Sequence, residues 1–182
     1  LNEAALNMLE DMLEGQERRE QIRAIHDDLI LSAPDRDEKG DRALNIGSRW
    51  AVRFEDRETA SRYLELALET NPGLESAFNM LSNYYRSVEN WAGIVSTAKT
   101  AVANGAPEDV SVTMLSEAGS VLWQVTEEID EASRVIALLE SRCSDHPLVT
   151  QFREWSEANV PSAEDQGTAD VELSADMETE PR

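Results

Sequence analysis

The sequence is short of cysteine, lysine, positive charge and long apolar runs, and each shortage excludes something. Cys143 is the only cysteine among 182 residues, so neither an intramolecular disulfide nor a structural zinc site is available and packing alone must hold the fold. Lys39 and Lys99 are the only lysines, and 37 acidic residues face 16 basic ones for a formal charge of −21. That balance argues against a nucleic-acid-binding surface and against an anionic-membrane anchor, while a basic partner stays open. No stretch reaches the roughly 18 consecutive apolar residues a membrane-spanning helix needs, so membrane insertion is not expected. Glu3 stands where a secretory signal would be basic. The chain begins at Leu1 rather than Met, from which we expect a piece of a longer chain; the compartment is left unknown by the sequence, the cytoplasm being favoured.

Alternating apolar and polar residues, the signature of a half-buried strand, are also missing. Apolar residues instead recur at helical spacing, as in Leu6, Leu9 and Leu13 or Ile22, Ile25 and Leu29. The pattern predicts an all-α chain with helices over Glu3 to Glu14, Glu17 to Ser32, Asp35 to Phe54, Arg57 to Thr70, Leu74 to Val88, Asn90 to Asn104, Glu108 to Val125, Asp130 to Cys143 and Pro147 to Asn159. Pro34, Pro72, Pro107 and Pro147 each mark a start, because proline cannot continue a helix but fits its first turn. Asp56 and Asn90 are expected N-terminal caps and Gly105 a C-terminal stop. Pro161 to Arg182 holds seven acidic residues, one arginine and no aromatic. Such a segment buries too little to offset the entropy of ordering, which predicts a disordered acidic tail or linker after a helical domain over 1–160.

The sequence also repeats itself. Ala5-Leu6-Asn7-Met8-Leu9 recurs 72 residues later as Ala77-Phe78-Asn79-Met80-Leu81, and Ala60-Ser61-Arg62 recurs at the same offset as Ala132-Ser133-Arg134. Ala33-Pro34 recurs at 73 as Ala106-Pro107. The unit is therefore about 72 residues, or two helical hairpins of about 36.

Ala60, Leu64, Ala67 and Pro72, followed by Phe78, Leu81, Ser82 and Tyr85 and then Ile94, Ala98 and Ala101, have the small and large residues at the intervals of a tetratricopeptide hairpin. On these positions the chain resembles the tetratricopeptide repeat family, in its degenerate bacterial form. Trp123, Ala132, Ile136 and Leu139 extend the resemblance, whereas Gly119 sits where a leucine is usual. The resemblance implies a right-handed α-solenoid of about four hairpins plus a final helix, built where small side chains let helices approach.

Signals for chemistry are few. His26 and His146 stand in no metal-binding spacing, and Cys143 with His146 reads as an ordinary helix end. The eight glycines are isolated, which leaves no phosphate loop, and no GxSxG elbow occurs. No catalysis and no cofactor are expected. Trp50, Trp91, Trp123 and Trp155 read as core, and Met8, Met12, Met80 and Met114 as gap fillers.

The family resemblance implies a concave groove lined by the first helices of successive hairpins, and it assigns Arg42, Asn45 and Arg49, then Asn79, Asn83 and Arg86, to that face. Asn offers donor and acceptor to an extended peptide, and Arg a fork to a carboxylate. The expected function is a protein-interaction scaffold binding a peptide or partner helix. The alternative is a non-binding spacer or regulatory module within a larger protein.

Overall fold

In a computed structural model the described residues are 3–12 and 16–159; the expected tail lies outside them. Their secondary structure is entirely helical, with no strand among them. The elements are α1 (Glu3–Met12), α2 (Gln16–Leu31), α3 (Arg36–Val52), α4 (Arg57–Thr70), α5 (Glu75–Ser87), α6 (Trp91–Ala103), α7 (Glu108–Ser120) running into a π-helical turn (Val121–Val125), α8 (Ile129–Arg142) and α9 (Pro147–Asn159). None is long and apolar enough to cross a membrane.

The helix starts follow from local chemistry. Asp35, Asp56 and Asn90 each accept a backbone N–H from three residues on, those of Glu38, Thr59 and Gly93, which satisfies donors a first turn would otherwise leave open. Pro107 caps α7 and Pro147 opens α9. Gly105 ends α6 with φ +92, a conformation that favours glycine.

Sequence neighbours pack on one another from α2 to α9, with α3 against α4 the closest pair. Buried faces recur with helical period, as in Ala77, Phe78, Leu81, Ser82 and Tyr85 of α5. Trp50, Phe78, Leu81, Ile94, Met114 and Leu139 are among the fully enclosed side chains. On α2 the buried stripe is Ile22, His26 and Ile30, spaced i, i+4, i+8, whereas the apolar count of the sequence centred the face on Ile22, Ile25 and Leu29. Turning the helix by one residue puts a histidine in the core.

The turns between α3 and α4, α5 and α6, and α7 and α8 have a left-handed residue in common. Each carries a left-handed glutamate, Glu55, Glu89 and Glu127, with φ of 53, 55 and 57. The next residue's N–H returns to a carbonyl near the end of the preceding helix: Asp56 to Trp50, Asn90 to Tyr85 and Glu128 to Leu122, at 3.0, 2.8 and 2.8 Å.

The 72-residue offset is kept in side-chain packing too. A Cβ built on Gly47 of α3 would stand 2.9 Å from Cγ of Leu64, and one on Gly119 of α7 would stand 3.0 Å from Cγ1 of Ile136. Both members of the pair move by 72. Gly119 is therefore not a gap in the pattern: it is where α7 lets the branched Ile136 of α8 in, as Gly47 does for Leu64.

Two groups sit further out than the sequence suggested. Of the four tryptophans only Trp50 is fully buried; Trp123 and Trp155 are partly exposed and form an aromatic cluster with Phe152, at centroid separations of 5.4 to 5.9 Å. Met8 is 66 % exposed while Met114 is enclosed. His146 has a structural task, since its Nδ1 accepts the Leu148 N–H at 3.2 Å in the first turn of α9.

Candidate functional site

Arg42, Asn45 and Arg49 recur along α3 at helical spacing and so point the same way. They border a cleft of about 500 Å³ with Ile46 of the same helix and Glu3 and Leu6 of α1. Arg42 is braced from below: its Nη1 donates to the Leu29 carbonyl and the Ser32 hydroxyl at the end of α2, at 2.7 and 3.0 Å, and its Nε to Glu38 at 2.9 Å. Asn45 is exposed on the rim.

Arg49 is engaged more deeply. Its Nε and Nη2 donate to Oε1 and Oε2 of Glu10, at 3.0 and 2.6 Å, and Nη2 also reaches the side-chain oxygen of Asn7. Arg53, one turn on, brings Nη1 to 3.0 Å from the same carboxylate and pairs with Asp11. The Glu10 side chain is 1 % exposed, a cost that only such forked, multiply donated pairing offsets.

A third donor reaches Glu10 from below. His26 Nε2 lies 3.1 Å from Oε1, and the other ring nitrogen, Nδ1, lies 3.0 Å from Nε1 of Trp50. Indole N–H can only donate. Nδ1 must therefore accept, the ring proton sits on Nε2, and the imidazole is neutral with its proton aimed at Glu10. Burial pushes the His26 pKa below its ordinary value against the pull of Glu10, and the Arg49 charge adds to the lowering. Burial pushes Glu10 up, but the Arg49 hydrogen bond and the charges of Arg49 and Arg53 outweigh it and hold the carboxyl below its usual range. Trp50, His26, Glu10 and Arg49 thus form one chain of hydrogen bonds across α3, α2 and α1, which Arg53 joins through an ion pair with Glu10.

The second group of expected residues lies apart. Asn79 and Asn83 are exposed on α5, and Arg86 pairs with Glu117 of α7. The structure brings Arg42, Asn45 and Arg49 to one cleft and leaves Asn79, Asn83 and Arg86 outside its lining. Glu10, His26 and Arg53 are the members that sequence reasoning missed. One signal was present, a histidine at i+4 between Ile22 and Ile30, which is the spacing of a buried face.

Comparison with known proteins adds no assignment: no protein-family model, no curated protein and no solved structure matches the chain.

Proposed function

We propose that the chain is a protein-interaction scaffold, in which helical hairpins stack as a right-handed solenoid of the tetratricopeptide kind and the odd-numbered helices present a polar face to a peptide or partner helix. The observation that carries the reading is the preserved 72-residue register, Gly47 to Leu64 and Gly119 to Ile136, reinforced by the common turn at Glu55, Glu89 and Glu127. Stacked units of this kind cannot bury their faces alone and gain an extended surface by stacking. On this reading the polar links between odd-numbered helices, Glu10 with Arg49 and Arg86 with Glu117, belong to that surface, and Asn45, Asn79 and Asn83, all exposed, are its groups for meeting a backbone.

The test is a capture experiment from the source lysate with the full chain as bait beside an Asn79→Ala, Asn83→Ala double variant. Both side chains are exposed, so the substitutions leave the core intact and helicity should be unchanged. A partner retained by the native chain and lost by the variant is the expected result. Equal retention by both baits, or none by either, would favour a spacer whose task belongs to other parts of a longer protein.

A further inference from the structure

Two guanidiniums and an imidazole N–H converge on one carboxylate at the junction of α1, α2 and α3, and three features bear on what that recess is for. The first is the internal repeat. Positions 72 residues beyond Glu10, His26 and Trp50 are Ser82, Ala98 and Leu122, all buried and none ionisable. The same station is thus filled by small and apolar side chains in the second copy. A buried ion pair is seldom better for stability than apolar packing of similar volume, and its usual advantage is selectivity. The architecture does not require the charged set of the first copy.

The second feature is how lightly α1 is seated. Ala77 and Leu81 of α5 are fully buried, whereas their counterparts in α1 face solvent, Leu9 with 44 % of its surface exposed. Among the described residues α1 makes no backbone packing as close as that of the successive helices from α2 onward. Leu6 is the buried apolar residue among its described side chains. What holds α1 is chiefly polar, namely Asn7, Glu10 and Asp11 against Arg49 and Arg53. The third feature is charge. Arg49 and Arg53 are paired with Glu10 and Asp11 while α1 is seated, and with α1 displaced they leave a local basic spot on a chain of net charge −21, which favours an acidic segment there.

We propose that Arg49, Arg53 and the Nε2–H of His26 form a carboxylate-recognition site for an acidic amphipathic helix of a partner protein, and that α1 is the occupant in cis which the partner helix displaces. The inference rests on the interaction-scaffold reading and names its partner. The matching helix repeats what α1 offers: an apolar residue, then asparagine, then two carboxylates one turn later, as in Leu6, Asn7, Glu10 and Asp11. A partner carboxylate takes over the donors Glu10 leaves, so each guanidinium and the imidazole keep their hydrogen bonds through the exchange and no buried charge is orphaned.

The probe is a fluorophore-labelled peptide of residues 1–14 and a second peptide with glutamine in place of Glu10. Anisotropy is read against the native full chain and against the full chain carrying Glu10→Gln. The tethered α1 competes at the high effective concentration of a short connection, so its weakening should improve binding of the native peptide by at least about tenfold. The glutamine peptide should lose about as much on the same protein, because a neutral amide forfeits the charge-assisted fork. Equal binding of the two peptides, or no binding of either to the Glu10→Gln chain, overturns the proposal. Should Glu10→Gln lose helicity by circular dichroism, hydrogen exchange on the native chain decides instead: α1 amides should exchange at least about a hundredfold faster than those of α4, as a displaceable element must. Equal protection of the two helices refutes displacement. A partner that depends on Asn79 and Asn83 while both peptides fail would leave the scaffold reading standing and remove only this one.

Discussion

At His26 the proton inventory is fixed by a neighbour that can only donate. Trp50 Nε1–H points at Nδ1, so a proton added there would face another N–H and strip a buried indole of its acceptor. Glu10 on α1, Arg23 and Asp27 on α2, Arg49 and Arg53 on α3 and Tyr63 on α4 are the charged and titratable groups around it. Unfolded, His26 titrates near 6.5, and in the fold it titrates lower. Between those values the unfolded chain binds more protons, so stability is fully present above 6.5 and falls as pH drops through the window. Glu10, lowered from 4.5, adds a loss in the same direction at more acid pH. Protonation of the other carboxylates works the opposite way by relieving self-repulsion, and a His26→Asn variant separates the two. Unfolding free energies from urea titrations between about pH 7.5 and about 5.5 should fall more steeply for the native chain, by up to about 1.4 kcal/mol per pH unit. Parallel profiles would contradict the neutral-imidazole assignment.

At the scale of elements, the spacing between helices is set by where a side chain is absent. Gly119 admits Ile136 and Leu148, whose nearest atoms stand 3.0 and 3.2 Å from a Cβ built there, so a leucine at this place has no room. Gly119→Leu should destabilise the chain by about 1–3 kcal/mol through overpacking, read as a lower thermal midpoint, and stabilisation would show that α7 and α8 are packed otherwise. Most element boundaries were legible in the sequence, because proline, caps and apolar period act within one or two turns: Asp56, Asn90, Gly105 and Pro147 all do what their chemistry predicts. The facing of α2 was not. Its stripe contains His26, which an apolar count passes over, and its reason to be buried comes from Trp50, 24 residues away.

Across the whole molecule the repeat was legible as a 72-residue echo of short words, and the packing extends it to pairs the words do not contain, Gly47 with Leu64 and Gly119 with Ile136. The polar recess was not legible, since Glu10 meets Arg49 across 39 residues and no local pattern brings those two together. The family resemblance implied an open groove position for Arg49. In the fold it is half of an ion pair, which makes Asn79 and Asn83 the cleaner probes of the polar face. A photo-crosslinking residue placed at Asn83 on α5, and separately at Arg62, exposed on α4, tests most directly which surface binds. In the source lysate the account predicts one specific adduct from position 83 and none from position 62; an adduct from position 62 with none from position 83 would contradict it.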